Sequence, residues 1–319
     1  MGPYRNVAHT EVRMRTVARH SVLAAMALVA CMSSDVQGPG PTRLKNVGPA
    51  RAHDPTPGVP DIIVDRKSLA TSWVVYDETL SPTACDVLEG DVPPGDHRTL
   101  RITVNTPNIG TGDLFVGDPN IHIDPNGDGD FSDSDGLFEF ATCHKHYHFR
   151  HYATYELFPI NADGSLGTVI ISAKRGFCMI DVAPYNTAGG TQPTSWVYRS
   201  CGRVGIPGNQ GISIGYADQY YKWLQGQYFV IDPENVPPGP YLIRIHVNPP
   251  FIAAPGEPCP TLDSGGFCHQ FVESDYDNNI AEIQITIPNR TGKTGYGPGG
   301  GDKIPNNANA IDDENRPTK

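Results

Sequence analysis

Short apolar runs separated by turn-forming residues dominate the middle of the chain. Tyr241–Val247 (YLIRIHV) alternates apolar and polar positions, and Ala281–Ile287 (AEIQITI) does the same. Successive side chains of a strand point to opposite faces, so this pattern predicts antiparallel strands with one buried face. Other strands are predicted at Asp61–Val64, Trp73–Tyr76, Leu100–Val104, Tyr152–Phe158, Thr168–Ser172 and Tyr228–Ile231, and the last extends over Ile280–Ile287. No window carries a long helical stripe. The predicted class is mainly β: a single antiparallel β-sandwich-like domain with large loops and few short helices.

Composition agrees with that picture. Among 319 residues there are 34 Gly and 30 Pro, which favour turns and short strands, and 38% hydrophobic residues, enough for a core. The net charge of −11 argues against nucleic acid as a partner and mildly favours approach of a cationic one.

The chain start reads as an export signal. Arg13, Arg15 and Arg19 precede an apolar run, Ser21 to Ala30, that is too short to span a bilayer. Leu28-Val29-Ala30-Cys31 has the pattern of a bacterial lipobox, whose cysteine would carry a lipid, and Met14 is an alternative start. The expected organisation is a signal over 1–31, a Pro/Gly-rich linker over 32–58, one β-rich domain over 59–289 and a disordered polar tail over 290–319. The expected location is extracytoplasmic, secreted or lipid-anchored, with no other membrane contact. Setting Cys31 aside leaves six cysteines, an even count that suggests disulfide bracing in an oxidising compartment. Cys259 and Cys268 share one loop and are expected to pair.

The strongest chemical signal is His144-Lys145-His146-Tyr147-His148. On a regular strand the three histidines share a face, but the outer two would lie roughly 14 Å apart. Metal–nitrogen bonds of about 2 Å cannot bridge that span. Ligation of one ion by all three therefore requires a bend or bulge. Imidazoles suit copper, zinc, iron or nickel, so spacing alone does not choose the metal. His151 is a further candidate ligand.

These residues belong to a longer series of motifs that resembles the lysyl oxidase family. Cys143–His148 is similar to its CHxHYH copper motif, and Lys174-Arg175-Gly176-Phe177-Cys178 to its K-x-x-F-C segment. Gln210-Gly211-Ile212-Ser213 followed by Asp218-Gln219-Tyr220 resembles QG-x-S…D-x-Y. Pro238–Tyr241 through Val247-Asn248-Pro249, Glu273–Asn279 (ESDYDNN) and Asp96-His97-Arg98 resemble further family segments in the same order.

The resemblance implies copper(II) held by His144, His146 and His148, and a lysine tyrosylquinone made from Lys174 and Tyr220. It also implies oxidative deamination of primary amines, peptidyl lysine among them, by molecular oxygen, giving aldehyde, ammonia and hydrogen peroxide. Asp218, with Asp181 as the alternative, is the candidate base. The resemblance further implies a Cys143–Cys201 disulfide, which leaves Cys85 to pair with Cys178. It implies a structural calcium held by Asp61, the carbonyl of Ile62, Glu273, Asp275, Asn278 and Asn279.

A second calcium candidate comes from the residues themselves. Asp124, Asn126, Asp128, Asp130 and Asp135 follow the spacing of an EF-hand loop, with Gly129 at its turn. Two alternatives to the enzyme are an extracellular copper-binding protein on the same scaffold without catalysis, and an adhesive β module with incidental histidines.

Overall fold

The computed structural model describes residues 55–174, 176–185, 197–292 and 295–301. The export signal with Cys31, and all of the linker before residue 55, lie outside the described residues. The predicted class is observed: several small antiparallel sheets, three short α-helices and three disulfides among the described residues.

The largest sheet has four strands in the order Ile280–Ile287, Gly239–Val247, Ala153–Pro159 and Ile170–Ile171. Its register sets Ile243 between Ile283 and Leu157, and Ile245 between Ala281 and Tyr155. All of these side chains are buried, so the alternation read from the sequence is the inner face of this sheet. Each such aliphatic side chain contributes roughly 1.5–3 kcal/mol on burial.

A three-stranded sheet orders Val74–Leu80, Gly95–Arg101 and Tyr228–Val230. Another places Tyr216–Tyr220 centrally, between Val104–Pro107 and Ala183–Pro184, with Tyr220 opposite Val104 and Asp218 opposite Thr106. The predicted strand at Asp61–Val64 is reduced to a single bridge, Ile62 to Asn108. The predicted strand Leu100–Val104 is broken, its two ends belonging to different sheets.

The disulfides correct the expected pairing. Cys259–Cys268 forms as expected, but Cys85 bonds Cys143 and Cys178 bonds Cys201. The reason lies in how the loops are tied. Gln210 accepts from the Met179 N–H (3.2 Å) and donates to the Cys201 carbonyl (2.9 Å), drawing Cys201 to Cys178. Asp181 accepts from the Val197 and Tyr198 N–H groups and closes the same loop. Cys143 is left facing the helix Cys85–Leu88.

The expected disordered tail also needs correction at its start. Thr291 hydrogen-bonds Asp77, and Tyr296 exchanges two backbone hydrogen bonds with Val75, at 2.7 and 3.0 Å.

Candidate metal centre and its lysine–tyrosine neighbour

The histidines lie on a hairpin. Phe138–Ala141 pairs with His146–Phe149, and a four-residue turn joins them. His146 and His148, two residues apart on the second strand, share a face. His144 sits in the turn, and Lys145 between them adopts a left-handed backbone at φ +65°, its N–H bonded to the Ala141 carbonyl at 2.8 Å. That residue supplies the required bend. One ring nitrogen from each of the three histidines falls within 4.8 Å of the others.

Their donors fit a single metal ion. His146 Nε2 and His148 Nε2 are 3.0 Å apart. Two nitrogens about 2.05 Å from one metal have that separation when the angle between them is roughly 95°. His146 and His148 are buried and His144 is half-buried, so the trio opens to solvent on one side only.

Backbone pairing then brings Lys174 to the histidines. The Phe149 N–H donates to the Phe177 carbonyl at 2.7 Å, which lays residues 176–178 along the histidine strand. The approach is close enough to require glycine: a Cβ at Gly176 would stand 1.7 Å from His148 Nδ1. His144, His148, Lys174 and Gly176 consequently line one pocket.

Lys174 Nζ lies 4.7 Å from the centre of the Tyr220 ring. Tyr220 is fully buried, and its hydroxyl donates to the Cys178 carbonyl at 3.0 Å. Phe177 packs edge-on against it, ring centres 5.5 Å apart. Tyr220 therefore sits on a central strand between fixed neighbours, the kind of rigid element that holds a reactive group in place.

The two candidate bases differ. Asp218 is buried two residues before Tyr220 and so shares its strand face. Its charge, after burial, is a cause of the very high pKa of the Tyr152 hydroxyl. Asp181 accepts four hydrogen bonds, from the Val197, Tyr198 and Ser213 N–H groups and the Ser213 hydroxyl. Burial raises its pKa, those bonds oppose the rise, and its carboxylate serves as a loop anchor.

Other expected ligands are distributed unevenly. His151 is exposed, stacked on Phe251 and bonded to Glu257 at 2.9 Å, and takes no part in the trio. Asp61 meets Asn278 (3.0 Å), while Glu273 accepts from the Ile62 N–H (2.6 Å) and the Asn248 and Asn279 amides (2.6 and 2.7 Å). Asp275 is exposed and caps the Asp277 N–H.

In the EF-hand-like loop, Asp124, Asn126, Asp128 and Asp130 accept from the loop's own N–H groups, and Asp135 pairs with His122 at 2.6 Å. Among the described residues the three histidines are the only convergent trio of His, Cys, Asp or Glu donors.

Sequence reasoning assigned no role to Gln210. Fully buried, it ties the Tyr147 carbonyl of the histidine strand (3.1 Å) to Cys201 and Met179. Its place in a QG motif was the available signal.

The lysyl oxidase family profile matches residues 60–256, a span that contains the trio, Lys174 and Tyr220. The chain belongs to the lysyl oxidase family. It is 25% identical over 254 residues to human protein-lysine 6-oxidase, covering 76% of this chain and 48% of that protein. The pig protein-lysine 6-oxidase is equally similar, with 81% of its length covered. Human lysyl oxidase homolog 2 is 27% identical over 229 residues, 70% of this chain and 24% of that protein. The chain thus spans about half the length of the human protein-lysine 6-oxidase it matches.

Proposed function

We propose that this protein is an extracytoplasmic copper-dependent amine oxidase. It would convert primary amines, peptidyl lysine among them, to aldehydes with release of ammonia and hydrogen peroxide. The observation that carries the reading is the contact of Lys174 Nζ with the Tyr220 ring, in a pocket that Lys174 shares with His144 and His148. Family membership and the names of the protein-lysine 6-oxidases support lysine as the amine.

His144, His146 and His148 would hold copper, which suits imidazole donors. Lys174 and Tyr220 would supply the crosslinked quinone. Copper and the quinone together supply the electron sink and the path to oxygen that amino-acid side chains lack. The chain's own residues orient and protect. Phe177 and the surrounding core keep water from Tyr220. Asp218, on the Tyr220 face of its strand, would take the proton from the substrate carbon. We extend the proposal to a structural calcium near Asp61 and Glu273: burial, with a smaller repulsion from Asp61, raises the pKa of Glu273, and a hard cation would favour its carboxylate.

Peptide mapping of copper-loaded protein tests the reading. A covalent Lys174–Tyr220 link with amine-dependent peroxide release is the expected result. Copper-loaded protein without either is the non-catalytic copper-binding alternative.

A further inference from the structure

Behind the histidine strand lies a second cavity, of about 500 Å³. Ligand sites commonly run from about 300 to about 1,000 Å³. Side chains alternate along His146–Phe149, so Tyr147 points away from its two histidine neighbours, and it lines this cavity. One wall is the 124–131 loop and the other is the turn of residues 203–207. Arg203 and Ile206 exchange two backbone hydrogen bonds, at 3.0 and 2.9 Å, which close that turn. Asn120 ties the turn to the strand. Its carbonyl oxygen accepts from the Gly205 N–H (3.3 Å) and the Tyr147 hydroxyl (3.2 Å), and its amide donates to the Ile206 carbonyl (3.0 Å).

The lining joins two chemistries. Phe131 and Val204, one from each wall, are exposed apolar side chains, and the exposed Ile121 and Ile206 follow the lining residues Asn120 and Gly205. Grouped apolar surface of this kind marks a place where another molecule binds. Asp118, Asp124 and Asp128 supply the charge, and among the described residues no lysine or arginine lines the cavity. Asp124 is used within its own loop, each oxygen accepting a backbone N–H. Asp118 is fixed through Oδ1, which accepts from the Gly208 N–H (2.8 Å) and from Asn120, and its Oδ2 has no partner among the described residues. Asp128 likewise accepts through Oδ1, from the Asp130 N–H at 2.8 Å.

We propose that this cavity docks a basic segment of a protein partner. An apolar side chain of the segment enters between Phe131 and Val204, and flanking arginine or lysine residues meet Asp118 and Asp128. Charge decides among the occupants. A second copy of this chain would bring a net charge of −11, and an anionic lipid surface would bring phosphate, both repelled by these carboxylates. A lone ammonium would leave the apolar floor uncovered. The docking face is not the face of the histidine rings, so the inference stands whether or not the protein oxidises amines.

Fluorescence anisotropy on the full chain tests this with the peptide RRLFRR. Labelled with fluorescein at its N-terminus, the peptide has no primary amine and cannot serve as an oxidase substrate. It should bind at least about fivefold more tightly than RRSSRR or EELFEE, and more weakly as salt rises. Phe131→Ser/Val204→Ser and Asp118→Asn/Asp128→Asn should each weaken it by about fivefold or more. Ile252→Ser/Leu262→Ser, an exposed pair beside the Cys259–Cys268 disulfide, should bind it as wild type does. Where a double variant does not fold, Asp128→Asn alone, at an exposed position, should give part of the loss. Lys174→Arg should leave binding unchanged; loss there would put the peptide in the histidine pocket and overturn the proposal. So would equal binding to wild type and to the cavity variants, or an equal loss in the Ile252 and Leu262 control. Capture by phosphatidylglycerol vesicles through Phe131 and Val204, with no binding of RRLFRR, would assign the face to a membrane and overturn it too.

Discussion

Lys174 stands against Tyr220, its amine 4.7 Å from the ring centre, although 46 positions separate them in the chain. On the oxidase reading, this contact brings together the two side chains that the crosslink would join. Lys174→Arg keeps a cation there but has no primary amine to add to the ring. We expect Lys174→Arg and Tyr220→Phe each to retain copper and to lose the crosslink, with peroxide release falling to background. Mass mapping and a peroxide assay on the same samples check this.

The trio should fail unequally. His146 is fully buried and His144 only half-buried, so solvent competes least at His146. His146→Ala should cost more than about 100-fold in copper affinity, beyond the 10–100-fold typical of groups that merely orient ligands. His144→Ala should lose less. Copper titration against a competing chelator reads both, and the reverse order would contradict the burial argument.

Gly176→Ala is a sharper probe of the same centre. The new methyl would collide with the His148 ring, which must turn away or break the bridge between Phe177 and Phe149. Overpacking of this kind costs about 1–3 kcal/mol, so the domain should still fold. Copper stoichiometry should fall while the Tm drops by only a few degrees. Full copper content in this variant would mean His148 is not a ligand.

Glu273 gives a pH dependence with a defined sign. Burial pushes its pKa up to about 7, from 4.5 for an exposed glutamate. Between those values the native state binds more protons than the unfolded chain. The stability Glu273 contributes is full below about pH 4.5 and is lost as pH rises through about 7, a change of about 3 kcal/mol. In chelator, the Tm difference between wild type and Glu273→Gln should shift against wild type across that window. If calcium binds here, it should raise the wild-type Tm more at pH 8 than at pH 5. Equal calcium gains at both pH values would remove Glu273 from the site.

The disulfides allow a chemical check on the fold. In the chain-entropy view, closing the Cys85–Cys143 loop stabilises by about 4 kcal/mol. Cys85→Ser/Cys143→Ser should lower the Tm and free the turn that carries His144. Non-reducing peptide maps should recover Cys178 linked to Cys201 in both proteins.

Several of these features were legible in the residues. The alternation in Tyr241–Val247 and Ala281–Ile287 reports one buried and one more exposed face, which is local, and the strands formed where it said. The histidine spacing dictated a bend, because bond lengths leave no alternative. What it could not dictate was the residue that bends: Lys145 has no preference for positive φ, and only the hairpin around it imposes one. Cysteine pairing was opaque for a similar reason. Spacing does not encode which loops Gln210 and Asp181 draw together, and pairing inferred by resemblance misassigned four of six cysteines. The EF-hand-like spacing folds as a turn in which Asp124, Asn126, Asp128 and Asp130 accept from the loop's own N–H groups.

The segment beyond Asn289 has a practical meaning for anyone shortening the gene. Its polar, glycine-rich letters invite a stop codon there. Yet Tyr296 occupies the open edge of Val74–Leu80, whose other side is taken by Gly95–Arg101, and its ring leans on Trp73. A protein ending at Asn289 would present a bare strand edge and an uncovered tryptophan, the surface through which strands of neighbouring molecules join. Recombinant protein cut at that point should precipitate or form soluble aggregates, whereas one ending after Gly301 should remain monodisperse by size-exclusion chromatography.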